Sequence, residues 1–304
     1  MQTPIAIRNF KWSDLDNLTD TYNLVNGLNG TEKEVSIQFM KSFLEQPDCN
    51  PEENCFVLET SNSLEGYALI IYEKPLNRAV YNGGIVSTTE NLDMNDALLS
   101  YAVETARSMG ADKLHIEVSS DATKIQQALR LIGFIKIKEY WQMRWEENSI
   151  PVANLDSEFS TRSFILGKDE ETLTTLQNLS FGDNWGFSPN TVGQIEARVR
   201  LPGRNPEDIL FITHGQEVAA YNWTILHSKG SHYTGIIGMT GVHPKFRGKG
   251  LGTAVVKTGI EYLKNHGAGT VELEVDSDNI IARELYLKLG FQKVSQSFWY
   301  ELAL

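Results

Sequence analysis

A mixed α/β fold, with a mostly antiparallel sheet flanked by helices and built twice in tandem, is what the sequence predicts. Three observations carry it. The chain has 304 residues, and about 150 residues per domain gives two domains. Hydrophobic residues make up 41% and aromatics 10%, enough for packed cores rather than a disordered chain. The chain also repeats itself. Shifted by 157 positions, GGIVS (83–87) falls on TGVHP (240–244), RSMGADKLHIEV (107–118) on KNHGAGTVELEV (264–275), and RLIGF (130–134) on LKLGF (287–291). Such periodicity marks two copies of one structural unit.

The second copy is the clearer one. FSTRSFIL (159–166) reads as a strand. Residues 169–181 place acids first and apolar residues at helical spacing after them, a helix start. Ser188-Pro189 fits N-cap and N1 of a second helix through Val199, which Pro202-Gly203 ends. DILFIT (208–213), EVAAYNWTIL (217–226) and SHYTGIIGMTGV (231–242) read as an antiparallel meander with turns at His214-Gly215 and Lys229-Gly230. A helix over 251–265 stops before Gly267. VELEV (271–275) is a strand, Asn279 to Leu289 a helix ended by Gly290, and 291–302 a last strand. EENSIPVANLDS (146–157) is polar, contains Pro151 and lacks periodicity, as a linker should. The expected division is a first domain at 1–147, a linker at 148–157 and a second domain at 158–304.

Composition excludes several classes. Net charge is -12, which argues against nucleic acid or an anionic membrane as partner. Residues 1–150 carry 13 Lys and Arg against 22 Asp and Glu, whereas 151–304 carry 14 against 17. A polyanionic ligand is therefore less repelled by the second half. No apolar run reaches the roughly 20 residues of a membrane span, and the first ten residues show no basic stretch followed by an apolar one. A cytoplasmic protein, monomeric or homodimeric, is expected. The two cysteines, Cys49 and Cys55 in CNPEENC, are too few for a disulfide scaffold and read as thiols in a surface loop. The six histidines form no HExxH-type pair, so no metal is expected.

Two features carry chemistry. In Val242-His243-Pro244-Lys245-Phe246-Arg247-Gly248-Lys249-Gly250-Leu251-Gly252-Thr253 a strand feeds a basic, glycine-rich loop that opens a helix. Glycines let backbone N–H groups approach a ligand closely. The first helical turn leaves donors without partners and about half a positive charge, and Arg247 and Lys249 add full charges. The result suits a pyrophosphate. The second feature runs from Glu272 through Asn279 and Tyr286 to Gly290-Phe291. Asn279 and Tyr286 are two helical turns apart and share a face. A tyrosine hydroxyl, with an ordinary pKa near 10, can protonate a thiolate of somewhat lower pKa. The alternative for each feature is bland: a plain glycine turn, and a half-buried core aromatic.

In this order and spacing, the two features resemble the GCN5-related N-acetyltransferases, the GNAT superfamily. The resemblance covers residues 159–302. It implies two tandem acyl-CoA N-acyltransferase-like domains, acetyl-CoA as co-substrate, and a primary amine, small-molecule or peptide, as acceptor. The cofactor arm would insert between two splayed strands. Carried over by position, Val242 would bond the pantetheine, Arg247 to Thr253 would hold the pyrophosphate, Asn279 the arm, and Tyr286 would be the acid. The tandem layout and the string EVDSDN resemble mycothiol synthases, although Ile236 stands where those enzymes place an acid. Glu274, twelve residues before Tyr286, resembles the proposed base of ribosomal-protein N-terminal acetyltransferases, and partial burial would raise its pKa. Trp185 and Phe187 are candidates for the acceptor side.

The first copy reads as degenerate. Arg247 matches Glu90, Gly250 matches Asp93, Gly252 matches Asn95, Asn279 matches Ala122 and Tyr286 matches Leu129. Three acids replace the glycines and cations, so a pyrophosphate would be repelled. Two functions of different class follow: an N-acetyltransferase working by direct attack in a ternary complex in the second domain, or a non-catalytic acyl-CoA-binding sensor.

Overall fold

The structure, a computed structural model, describes residues 6–28, 34–47, 49–60, 63–86, 92–147, 149–229 and 232–304. It divides into two compact units: residues 1–138 with 297–304, and residues 139–296.

The first unit begins with β1 (Ala6–Asn9), α1 (Leu15–Leu28), α2 (Ile37–Leu44), the single turn α3 (Pro51–Asn54), β2 (Cys55–Glu59), β3 (Leu64–Glu73) and β4 (Arg78–Ile85). Then come α4 (Leu92–Ser108), β5 (Lys113–Ser119), α5 (Thr123–Leu131) and β6 (Ile135–Trp145). Its sheet runs β1-β2-β3-β4-β5, and the edge beyond β5 is covered by the end of the last strand of the chain. The cysteine expectation fails here. Pro51 starts a turn of helix, and Cys55 opens β2 fully buried beside Leu44, Val57 and Leu69. Burial pushes its thiol far above the ordinary range, so it is unreactive.

The second unit contains β7 (Phe159–Ser163), α6 (Glu170–Phe181), α7 (Val192–Val199), β8 (Ile209–His214), β9 (Glu217–Lys229) and β10 (His232–Val242). It continues with α8 (Leu251–Asn265), β11 (Thr270–Asp276), α9 (Ile280–Lys288) and β12 (Gln292–Ala303). The sheet order is β6-β11-β10-β9-β8-β7. One face packs α8 and α9 through Val255, Ile260, Leu273, Val275 and Tyr286. The other packs α6 and α7 through Leu173, Ile195, Phe211 and Tyr221. The expected order of elements holds. The start of α7 is later than expected: Thr191, not Ser188, is its N-cap, because Thr191 and Gln194 close a reciprocal capping box. Asn190 ahead of it is held by two hydrogen bonds to Asn178.

The units do not divide at the polar linker expected at 148–157. Each unit takes a strand from the other half of the chain. Met143 and Trp145 of β6 are fully buried in the second unit, whereas Tyr300 of β12 is fully buried in the first. Met143 and Tyr300 are equivalent under the 157-residue repeat, so the two copies exchange equivalent strands. Tyr300 also receives a hydrogen bond from Arg130 at 3.2 Å. Replacing Tyr300 by Ala should therefore destabilise the first unit, which is distant in sequence, by about 3–5 kcal/mol. Urea unfolding followed by hydrogen exchange checks this; protection lost from the amides of 139–296 instead would contradict the exchange.

Candidate active site

The site begins where two parallel strands part. β10 pairs with β11 from Thr234↔Thr270 to Ile237↔Leu273 and no further. A bulge then falls between Ile237 and Met239, and bulges bend the strand that carries them. Beyond it, β10 pairs only with β9, up to Val242↔Ala220, while Glu274, Val275 and Asp276 of β11 pair with β6. The two strands are therefore not joined between Val242 and Val275, which leaves a gap in the sheet there. The His243 N–H donates to Ala219 O at 2.9 Å, so that residue's polar groups turn toward β9. In an antiparallel ladder successive residues alternate, and the Val242 N–H and carbonyl therefore face the gap.

The chain then enters the loop singled out from the sequence. Phe246 is buried and anchors it, edge-on to Phe159. Gly248 and Gly250 have φ of +80° and +76°, where a side chain would be strained. Gly250 is the N-cap of α8 and supplies no side-chain cap. The amides of Leu251, Gly252 and Thr253 therefore have no acceptor within the helix, and they sit at its positive end. The loop cations are engaged at its rim. Arg247 Nη2 donates to Ser180 O at 3.1 Å, Lys249 lies 3.5 Å from Glu158 and Lys245 2.7 Å from Glu217. These are exposed pairs, worth little in stability, so the side chains can turn to a ligand.

Asn279 is the N-cap of α9, its Oδ1 accepting from Ala282 N at 3.1 Å. Its amide nitrogen is left as the group that could meet a cofactor arm. Tyr286 is buried on the α8/α9 face against Phe291. Burial pushes its phenol up to about 12, so it is a protonated acid throughout the physiological range. Glu274 lies on the opposite, α6 face, since Val271, Leu273 and Val275 fill the other. It is exposed and accepts a hydrogen bond from Gln142 at 3.0 Å. The expectation of partial burial is therefore corrected: Glu274 stands exposed on the α6 face beside β11. Glu272, next on that face, pairs with Arg144 at 2.9 Å. Phe187 stacks on Phe181, with ring centroids 5.6 Å apart, and Trp185 is half-buried in the same loop after α6. The sequence reading did not single out Gln177, Ser180 or Tyr221, which meet around Gly241 only through tertiary packing.

The first unit differs. β4 pairs parallel with β5 from Arg78↔Lys113 to Tyr81↔Ile116, without a bulge. Leu129 is buried at the place of Tyr286, and Ala122, at the place of Asn279, gives α5 no side-chain cap. Glu90 lies outside the described residues, as does the side chain of Asp93.

Comparison with known proteins gives a family match within the second unit. Residues 171–291 match the family model described as the acetyltransferase (GNAT) family. The chain carries a GNAT acetyltransferase domain. Over 246 residues it is 28% identical to mycothiol acetyltransferase of Pseudarthrobacter chlorophenolicus, covering 79% of this chain and 75% of that one. It is 27% identical to mycothiol acetyltransferase of Stackebrandtia nassauensis over 81% of both. Among solved structures, a tandem GNAT protein from the clavulanic acid biosynthesis pathway superposes with a TM-score of 0.75 at 15% identity, covering 99% of this chain and 98% of that one. A GCN5-related N-acetyltransferase from Sphaerobacter thermophilus gives 0.72 at 16%, covering 99% and 97%. The chain is thus an acetyl-CoA-dependent N-acetyltransferase. No described helix is long and apolar enough to cross a membrane, and among the described residues no group of His, Cys, Asp or Glu could hold a metal ion.

Proposed function

We propose that the second unit transfers an acetyl group from acetyl-CoA to a primary amine by direct attack within a ternary complex. The gap between β10 and β11, leading to an uncapped helix start, carries this reading. An acyl-CoA arm could lie along the free edge of β10 and pair with Val242. The pyrophosphate would meet the amides of Gly248 to Thr253, with Arg247 and Lys249 at the rim and Asn279 Nδ2 on the arm. Gly248 and Gly250 fit this role because their conformation brings bare backbone to the ligand.

The amine approaches from the α6 face, where Glu274 and, in the loop after α6, Trp185 and Phe187 lie. Glu274, directly or through a water, takes the ammonium proton. The nitrogen attacks the thioester carbon, and the Val242 N–H stabilises the developing oxyanion. The C–N bond forms, the C–S bond breaks, Tyr286 gives its proton to the departing sulfur from the other face, and the second proton leaving the nitrogen restores the phenol through water. The burial that raises Tyr286 would also raise the proton affinity of a thiolate expelled beside it, so the transfer stays feasible.

The first unit, with Leu129 for Tyr286 and acids in place of the loop, keeps the fold without the chemistry. The acceptor proposed is a cationic amine, with amino-sugar conjugates of the mycothiol kind included because of the curated relatives. Calorimetry with acetyl-CoA, together with thiol release over a panel of primary amines, tests the reading. Binding with turnover is expected. Binding without turnover of any amine would mark a sensor, and no binding would end both readings.

A further inference from the structure

Three buried polar atoms without a hydrogen-bond partner meet beside the gap, and the reaction above uses none of them. They are the Tyr221 hydroxyl on β9 and, on α6, Ser180 Oγ and Gln177 Nε2. Gln177 and Tyr221 are no more than 1% exposed. Gly241 is the centre of the cluster. A Cβ there would lie 2.7 Å from Tyr221 Cε1 and 2.8 Å from Ser180 Cβ and Oγ. Since Tyr221 is paired with Gly241 across the ladder, its ring lies over β10 at a position without a side chain. The cluster therefore sits against β10 one residue before Val242, which borders the gap. Gln177 lies beside the Tyr221 hydroxyl without completing a hydrogen bond to it.

The chemistry of the cluster is set from behind. Arg198 donates to Asn190 Oδ1 at 2.8 Å, so Asn190 presents its amide nitrogen to Gln177 Oε1, at 3.2 Å. Gln177 is thereby held with its NH2 toward Tyr221. The group facing the cluster is a donor, and the two hydroxyls can donate as well. Among the described residues no cation joins it, and the only contact from the basic loop is Arg247 to the Ser180 carbonyl. Leaving a buried donor unpaired is costly, and three in one place on the amine side of the gap are matched by one ligand oxygen.

We propose that Gln177, Ser180 and Tyr221 form a subsite for a neutral hydroxyl or carbonyl oxygen of the amine substrate, close to the nitrogen that is acetylated. This rests on the acetyl-transfer reading and narrows it: amino alcohols, amino sugars and amino amides are favoured over bare alkylamines and polyamines. Cofactor oxygens are the other source of the same chemistry. They would lie along the edge of β10, whereas the cluster sits over its α6 face.

The test uses the full chain and matched amines, 2-aminocyclohexanol against cyclohexylamine and glycinamide against propylamine. Turnover with acetyl-CoA and calorimetric binding in the presence of CoA are measured on wild type, Tyr221→Phe and Gln177→Leu. The wild type should prefer the oxygen-bearing member of a pair by tenfold or more in kcat/KM or Kd. Both variants should erase the preference while leaving acetyl-CoA affinity and the oxygen-free member unchanged. Equal handling of both members by the wild type, a preference that survives both variants, or a loss confined to acetyl-CoA affinity would overturn the subsite. Binding and turnover of no amine would overturn it too, and intact acetyl-CoA binding in that case shows that amine transfer, not the cofactor site, has failed. Ser180→Ala, a smaller change, repeats the comparison if either variant loses its cooperative thermal transition.

Discussion

Tyr286→Phe is expected to lower kcat roughly 100-fold while leaving acetyl-CoA binding intact, the lower end of what a positioned general acid supplies. The low end applies because a thiolate, with an ordinary pKa near 8.5, leaves tolerably well unprotonated. The change removes one oxygen and leaves the ring on Phe291. Because the packed ring is kept, stability near neutral pH should barely change. The pH behaviour follows from burial. The folded phenol is pushed up to about 12, above its ordinary value near 10. Its neutral form is the one the fold favours, so this contribution is complete below pH 10 and is lost as pH rises toward 12. Wild type should therefore lose stability over that window more steeply than the Phe variant. Steady-state kinetics, calorimetry and urea unfolding at pH 9 and 11 measure all three. An unchanged kcat would remove Tyr286 from the reaction.

Gly252→Asp should raise the Kd for acetyl-CoA on the order of 100-fold without weakening the fold. Gly252 is in the first turn of α8, and a Cβ there would stand 3.4 Å from Leu285 Cδ1, an ordinary contact. The residue has no positive φ, so the backbone accepts a side chain. A carboxylate at a helix start is stabilising by about 0.3–1 kcal/mol, and Tm should hold or rise. The same carboxylate would face the pyrophosphate. Two like charges a few ångström apart near a surface cost a few kcal/mol, and about 3 kcal/mol corresponds to about 100-fold. Calorimetry with acetyl-CoA and a thermal melt give both numbers. Undiminished affinity would mean that the pyrophosphate does not rest on α8, and the reading of the loop would fall with it.

How much was legible depends on the distance between the residues concerned. The order of elements in the second copy, the helix over 251–265 and the strand VELEV follow from periodicity and punctuation, and the structure has them at those places. The glycine loop was readable because its logic is local: a strand, left-handed glycines and a helix start within a dozen residues. Glu274 was only half readable. Alternation placed it on the face opposite Leu273, but whether that face was covered depended on Gln142, far away in sequence. The start of α7 was misplaced because Ser-Pro and Thr-x-x-Gln are both valid starts, and contacts to Asn190 from Asn178 and Arg198 select the second.

The chain's own order of residues decided that there are two copies and that only the second carries a basic, glycine-rich loop ahead of a helix, since those properties belong to residues close together in sequence. Only the folded molecule decided which last strand completes which unit. Met143 and Tyr300 occupy matching places in the repeat, so each strand suits either sheet edge by pattern alone. The choice is made by burial in the core it reaches, Met143 among Leu273 and Val275, Tyr300 among Leu114 and Phe134. The same holds for Gln177, Ser180 and Tyr221, three ordinary core and helix residues until packing across Gly241 leaves their polar atoms facing one another.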